Sequence, residues 1–453
     1  MKFQTINPTT EEPIKEYEIQ PKEEVFQIAS EIKDNSFVWK NLDISERAKV
    51  IRKIADALRI RKKAFAELMT TEMGKPIKQA YAEIEKCAWT AEVYSDNAEK
   101  WLADDILTAD GKKHFVTFEP LGVVLSIMPW NFPFWQAFRF AIPAMIAGNA
   151  TILKHSNVVA GCALAIEEVF REASMNNFFR TIITDHDITA ELIKSHYVDA
   201  VSLTGSVPAG QKVASLAGQH LKKCVLELGG SDPFIILDDA DVEKAAEIAV
   251  TARLINNGQS CIAAKRFIVV KSQEKAFTEK FVEFTKNMKV GNPMDENTDV
   301  GPLVNAKQMD EIESQLKDSV KAGAKILFGG KRLNRKGYFF EPAVVANVKT
   351  DMRIAKEEVF GPVAPIIVVK DEDEAIKVAN NSEFGLGASI WTNDGQRALR
   401  VAKKIDAGCV FINSSVKSDP RVPFGGIKKS GIGRELSHYG LKEFVNVKAV
   451  NVY

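Results

Sequence analysis

Three short polar segments of this chain carry side chains suited to acyl chemistry. The run Asn256-Asn257-Gly258-Gln259-Ser260-Cys261 delivers one thiol at the end of a glycine-bearing turn, with the small residues Ala263 and Ala264 close behind. That setting suits an accessible nucleophile, although a free cysteine taken alone usually behaves as a small buried hydrophobe. In Pro129-Trp130-Asn131-Phe132-Pro133, two prolines fix the backbone around one amide. The amide can donate to a developing oxyanion, or the segment can be a turn packed by its aromatics. In Glu227-Leu228-Gly229-Gly230 a carboxylate follows an apolar run and precedes two glycines. It reads as a general base or as the ion-pair partner of Lys222 or Lys223. Thiolate, amide donor and carboxylate together can build a thioester and hydrolyse it.

The elements that must position these residues alternate along the chain. Residues 22–104 repeat apolar side chains at helical spacing, as in Val50, Ile54, Ala57 and Leu58, with a break at Gly74-Lys75-Pro76. Gly122 to Met128 is an almost unbroken apolar run ending at Pro129, the pattern of a buried parallel strand. Strand-like segments at 150–154, 200–203 and 224–226 follow, separated by helical stretches near 160–173 and after Ser206. From Phe234 the alternation starts again, with strands at 234–237, 266–270, 365–369, 387–392 and 409–413 and helices at 241–255 and 273–288. This order predicts an α/β fold with two doubly wound units and a boundary near 229. The three polar segments then fall at strand carboxyl ends, where open α/β sheets bind ligands. Val445 to Tyr453 alternates apolar and polar residues, which predicts a terminal strand in need of a partner.

Bulk properties narrow the function. The 453 residues are 45% hydrophobic and 26% charged, enough for two or three cored domains. Sixty basic residues balance sixty acidic ones, so charge gives no reason to expect nucleic acid as a partner. The five cysteines are widely spaced and form no Cys-x-x-Cys pair, which argues against a zinc site and for a reducing cytoplasm. The first residues lack an apolar signal core, and no apolar stretch is long enough to span a bilayer, so the expectation is a cytoplasmic protein without a membrane partner.

Taken in order, the segments resemble those of the NAD(P)-dependent aldehyde dehydrogenase superfamily. They are Pro-Trp-Asn-Phe-Pro at 129–133, Leu-Lys at 153–154, Thr-Gly-Ser at 204–206, Glu-Leu-Gly-Gly at 227–230, Gly-Gln-Ser-Cys at 258–261, Glu-Glu-Val-Phe-Gly-Pro at 357–362, Pro-Phe-Gly-Gly at 423–426 and Lys429 to Glu435. The resemblance implies a Rossmann-like cofactor domain (1–108 and 122–228), an α/β catalytic domain (229–415) and a small β oligomerisation element (109–121 and 436–453). It implies Cys261 as nucleophile, Glu227 as the base for the deacylating water and Asn131 as oxyanion donor, with no metal required. It places Lys154 on the adenosine ribose, Ser206 at the pyrophosphate, Glu358 on the nicotinamide ribose, Phe360 by the nicotinamide and Trp130 against cofactor or substrate. It also implies a homodimer or homotetramer acting on a small aldehyde.

Within that superfamily the chain resembles most the short bacterial-type succinate-semialdehyde dehydrogenases. There, Arg139, eight residues past Asn131, stands where a substrate-carboxylate arginine does. A second such arginine is replaced by Ile255, with Arg253 nearby and Arg421 on the expected substrate loop beside Ser418. The expectation is a clamp of Arg139 and Arg421 on a distal carboxylate. The competing expectations are a broad-range, lactaldehyde or glycolaldehyde dehydrogenase, and a catalytically silent structural protein. Lys154-His155-Ser156-Asn157 has Asn157 where a glutamate often selects NAD, which leaves NAD or NADP open, and His155 reads as structural rather than phosphate-binding. The stretch 174–189 lacks the glycines usual in the family.

Overall fold

The computed structural model describes residues 2–453. The helical region resolves into Lys22–Lys40, Ile44–Ile60, Lys62–Met73 and Ile77–Trp101. In Ile44–Ile60 the buried side chains Ile51, Ile54, Ala55 and Leu58 form one apolar stripe. Lys62–Met73 stops at Gly74, whose φ of 79° is the left-handed cap that glycine adopts without a Cβ penalty.

Two sheets organise the rest. The first has the order Gly431–Ile432, Lys223–Glu227, Ala200–Thr204, Val123–Met128, Ala150–His155, Phe179–Ile182, parallel except for Gly431–Ile432. Val123–Met128 lies at its centre and is buried at five of six positions, hence its apolar run. The chain leaves this strand toward Ala150–His155 and later returns on the other side with Ala200–Thr204, so a topological switch point lies between the two. The second sheet runs Lys325–Phe328, Ala343–Ala346, Val363–Val369, Arg266–Val270, Pro233–Ile236, Gly387–Trp391, Cys409–Ile412. All its members fall between 229 and 415. The segment beyond it returns to the first sheet through Gly431–Ile432, which pairs with Leu226 and Glu227.

Four details differ from the pattern reading. The stretch 174–189 contains the edge strand Phe179–Ile182, and a hairpin of Lys2–Asn7 and Glu12–Glu18 opens the chain. Val445–Val452 finds its partner within the chain, pairing along its full length with Lys113–Pro120. A third strand, Asp105–Leu107, joins that small sheet from residues assigned above to the cofactor domain. The other edge of Val445–Val452 is open, with Val447, Val452 and Tyr453 exposed. Among the described residues no helix is long and apolar enough to cross a membrane.

Candidate active site

Carboxyl ends of neighbouring strands of the first sheet border one cleft of about 710 Å³. Pro129, Trp130 and Asn131 follow Met128, Gly205 and Ser206 follow Thr204, and Leu228 and Gly229 follow Glu227, while Cys261, Glu358 and Phe360 reach the cleft from the second sheet's side.

The turn before Cys261 is built from left-handed residues. Asn256, Asn257 and Gly258 have φ of 53°, 60° and 77°, a conformation open to glycine and tolerated by asparagine. Their side chains hold it. Asn257 Nδ2 donates to the carbonyls of Gly74 (2.9 Å) and Pro302 (2.8 Å), and its Oδ1 accepts from Gly301 N–H (2.7 Å). Asn256 Nδ2 donates to the carbonyls of Asn131 (2.7 Å) and Gln259 (2.9 Å), so one amide joins the nucleophile turn to the Asn131 segment. Asn131 Nδ2 donates to the Gln259 carbonyl at 3.2 Å.

Behind Cys261 lies Lys265, fully buried, donating to the carbonyls of Ser260 (2.8 Å) and Cys261 (2.7 Å) and paired with Glu358 at 3.4 Å. Burial pushes the Cys261 thiol up to about 12, against the opposing charges of Arg139 and Lys265. The resting sulfur is therefore protonated. A Cβ on Gly230 would sit 2.7 Å from the Cys261 carbonyl oxygen. Gly230→Ala is expected to displace the nucleophile turn, lowering stability by about 1–3 kcal/mol and kcat with it. Urea unfolding midpoints and steady-state rates check this, and unchanged values for both would contradict the contact.

Glu227 is buried, and no hydrogen bond reaches its Oε1. Burial and the neighbouring Glu435 carboxylate raise its pKa above the usual carboxylate range, with Arg139 and Arg434 opposing. The acid limb of activity should therefore lie above ordinary carboxylate values if Glu227 must be ionised. The same shift makes folding less favourable as pH rises through that range, because the native state keeps a proton the unfolded chain has released. Glu435→Gln removes a like charge and frees Arg139, so the acid limb should move to lower pH. A pH–rate profile that does not move would refute the coupling.

Lys154 stands one residue before the end of the strand Ala150–His155, opposite Ile127 of the central strand. The residue is only 5% exposed, and its ammonium has neither a hydrogen-bond acceptor nor an ion-pair partner among the described residues. Burial lowers its pKa. An unpartnered cation near a strand carboxyl end, next to the switch point, fits a ribose hydroxyl or phosphate oxygen. Ser206 precedes the helix Val207–Gln219, and its hydroxyl makes no cap bond, so helix N–H groups are free for a pyrophosphate. Glu358 accepts from Gly230 N–H at 3.1 Å, and Trp130 and Phe360 meet edge to face at 5.7 Å. The donor set fits a dinucleotide. Asn157 is partly exposed at the start of the short turn Asn157–Val159, three residues past Lys154. His155 accepts from Ser156 N–H and shares a 2.9 Å hydrogen bond with the Pro133 carbonyl, and burial pushes it down to about 4, so it braces the Asn131 segment as a neutral ring.

The two arginines expected as a carboxylate clamp each hold a carboxylate of this chain here. Arg139 lies on a helix buried along its whole length, is 2% exposed, forms an ion pair with Glu435 and donates to Thr204 Oγ1 at 3.2 Å. It is committed inside, beside Glu227. Arg421 is exposed and forked onto Asp419 at 2.9 and 2.7 Å. Arg253 donates to the carbonyls of Gly258 and Val359. Ser418 accepts from Lys86 Nζ at 2.7 Å. Lys86, Lys265 and the Arg139–Glu435 pair went unread in the sequence. So did Glu83, whose carboxylate accepts from Phe134 and Trp135 N–H while pairing with buried Lys75, and so anchors the helix after Asn131.

The sequence profile described as "Aldehyde dehydrogenase family" matches residues 1–450. The chain is 45% identical over 456 residues to a succinate-semialdehyde dehydrogenase (NADP(+)) of Mycolicibacterium paratuberculosis, covering 99% of this chain and 96% of that one. It is 45% identical over 413 residues to the Escherichia coli succinate semialdehyde dehydrogenase (NAD(P)+) Sad, covering 91% and 89%. The crystal structure of succinic semialdehyde dehydrogenase from Streptococcus pyogenes with NADP+ superposes with a TM-score of 0.97 at 36% identity, over 99% of each chain. Sharing its sequence pattern and its fold with these proteins from end to end, this chain belongs to the aldehyde dehydrogenase family.

Proposed function

We propose that this chain oxidises succinate semialdehyde to succinate through a thioester on Cys261, with NAD or NADP as hydride acceptor. The observation that carries the reading is that Cys261 and Asn131 line one cleft with Glu358 and Phe360, and that the buried carboxylate of Glu227 ends a strand whose next residues, Leu228 and Gly229, border the same cleft. The names of the relatives, dehydrogenases of succinate semialdehyde using NADP(+) or NAD(P)+, support substrate and cofactor.

Cys261 Sγ gives its proton to solvent and adds as the thiolate to the aldehyde carbon; Arg139 and Lys265 favour the anionic sulfur. Asn131 Nδ2 and the Cys261 N–H hold the oxygen that becomes negative. Lys154, Asn157, Ser206, Glu358, Phe360 and Trp130 would hold a nicotinamide dinucleotide, which supplies the hydride acceptor when bound. Glu227 then takes a proton from water, whose oxygen attacks the thioester carbonyl. The C–S bond breaks, the acid leaves and the sulfur recovers its proton. With Asn157 in place of a carboxylate, nothing at that position repels a 2′-phosphate, which supports use of NADP as well as NAD.

Five free thiols support a reducing, cytoplasmic setting. The open edge of Val445–Val452 supports self-association. The test of function is the near-ultraviolet absorbance of reduced nicotinamide, followed with succinate semialdehyde and with butanal and with each dinucleotide. Reduction with succinate semialdehyde in preference to butanal is expected; no reduction with any pair would overturn the reading. A second reading, an uncharged small aldehyde, is favoured by the commitment of Arg139 and Arg421 to internal partners.

A further inference from the structure

Lys265 stands four residues past Cys261, just before the strand Arg266–Val270, and is fully buried. Its backbone N–H donates to the Asp232 carbonyl at 3.0 Å, which fixes the point from which the side chain reaches back to the nucleophile turn. There Nζ meets three acceptors: the Ser260 carbonyl at 2.8 Å, the Cys261 carbonyl at 2.7 Å and the Glu358 carboxylate at 3.4 Å. An ammonium has three N–H donors where a neutral amine has two, so this geometry matches the charged form. Burial lowers the Lys265 pKa, with the carboxylates of Glu358 and Asp232 opposing and the cation of Arg253 assisting. Buried ion pairs are weak stabilisers, and an apolar side chain of similar volume would satisfy packing alone.

The two carbonyls give this cation a part in the reaction. The Ser260 carbonyl belongs to the same peptide unit as the Cys261 N–H. In a trans peptide, as here, C=O and N–H point in opposite directions. An ammonium on the oxygen therefore leaves the N–H facing away from it. It also draws electron density from the nitrogen, which strengthens that N–H as a donor. The same oxygen accepts from Ala263 N–H at 3.2 Å, closing a tight turn around the thiol. Among the described residues the Cys261 N–H has no acceptor. Asn131 Nδ2 donates to the preceding carbonyl of the turn, that of Gln259, at 3.2 Å.

We propose that Lys265 is the positioning residue of the oxyanion site: its ammonium fixes and polarises the Ser260–Cys261 peptide, so that the Cys261 N–H is aimed at the oxygen of the aldehyde adduct, and its pairing with Glu358 holds the ammonium in that direction. The proposal rests on aldehyde oxidation at Cys261.

Lys265→Met keeps most of the stem and removes all three donors. Loss of a whole oxyanion donor lowers kcat about 100- to 1,000-fold, so a misaimed one should lower it about 10- to 100-fold. Alkylation of Cys261 by iodoacetamide displaces iodide and forms no oxyanion, so it senses the lost charge but not the lost aim. Oxidation should therefore lose at least about tenfold more than alkylation at the same pH. KM for NADP should change less than about threefold, because Glu358 keeps its bond from Gly230 N–H. Lys265→Arg should recover part of kcat. An unchanged kcat, or equal losses in oxidation and alkylation, would overturn the proposal. The unaltered protein supplies a second measurement if Lys265→Met does not fold. In crystals soaked with succinate semialdehyde and no dinucleotide, the hemithioacetal oxygen should lie about 2.7–3.1 Å from the Cys261 nitrogen. An oxygen turned away from that nitrogen would overturn the proposal. Failure of any adduct to form at Cys261 would instead defeat the oxidation reading beneath it.

Discussion

Cys261→Ala is expected to abolish aldehyde oxidation while leaving dinucleotide binding intact. Removing a covalent nucleophile costs on the order of ten-thousand-fold or more in kcat, and here no second thiol takes its place at the end of the Asn256 to Ser260 turn. The Lys265 bonds go to the carbonyls of Ser260 and Cys261, not to the sulfur, so the turn should survive the change. Binding of NADP, measured by calorimetry, should stay within about threefold, well under 1 kcal/mol. Turnover above about one per cent of the unaltered rate would remove Cys261 from the mechanism.

Glu227→Gln should separate the two halves of the reaction. Acylation needs sulfur, amide donor and cofactor; hydrolysis needs a base. Loss of a general base lowers the rate about 100- to 10,000-fold, and the loss should fall on deacylation. Rapid mixing should show a burst of about one reduced nicotinamide per site, then a stalled phase in which intact-protein mass reveals an acyl group on Cys261. Hydroxylamine, a stronger nucleophile than water, should release it. Slow reduction from the first turnover, with no burst, would make Glu227 an acylation group instead.

Much of this site was legible because its residues stand at punctuated strand ends. Val123–Met128 and Ala200–Thr204 are buried throughout or nearly so, and such strands read as apolar runs. Phe179–Ile182, with Arg180 among four residues at a sheet edge, carries no such signal. Neither does Lys325–Phe328, an edge strand that is half exposed. Arg139 shows the limit for side chains. Its distance from Asn131 along the sequence fixes a place on a helix, but its direction depends on Glu435, which only the return of the chain to the first sheet brings near. Lys86 sits in a helix with Glu85 and Lys78 nearby, where a spacing argument cannot tell a surface lysine from one stacked on Trp135.

The left-handed run before Cys261 also bears on when the protein becomes an enzyme. Its conformation is unfavourable for an isolated peptide, and the bonds of Asn257 that hold it reach Gly74 and Pro302, 183 and 45 positions away. Asn256 adds a link to Asn131, 125 positions away. No local segment can hold the thiol in position by itself. During synthesis or refolding, the nucleophile is assembled only after both sheets have closed on each other, and a chain arrested before that point carries an ordinary cysteine.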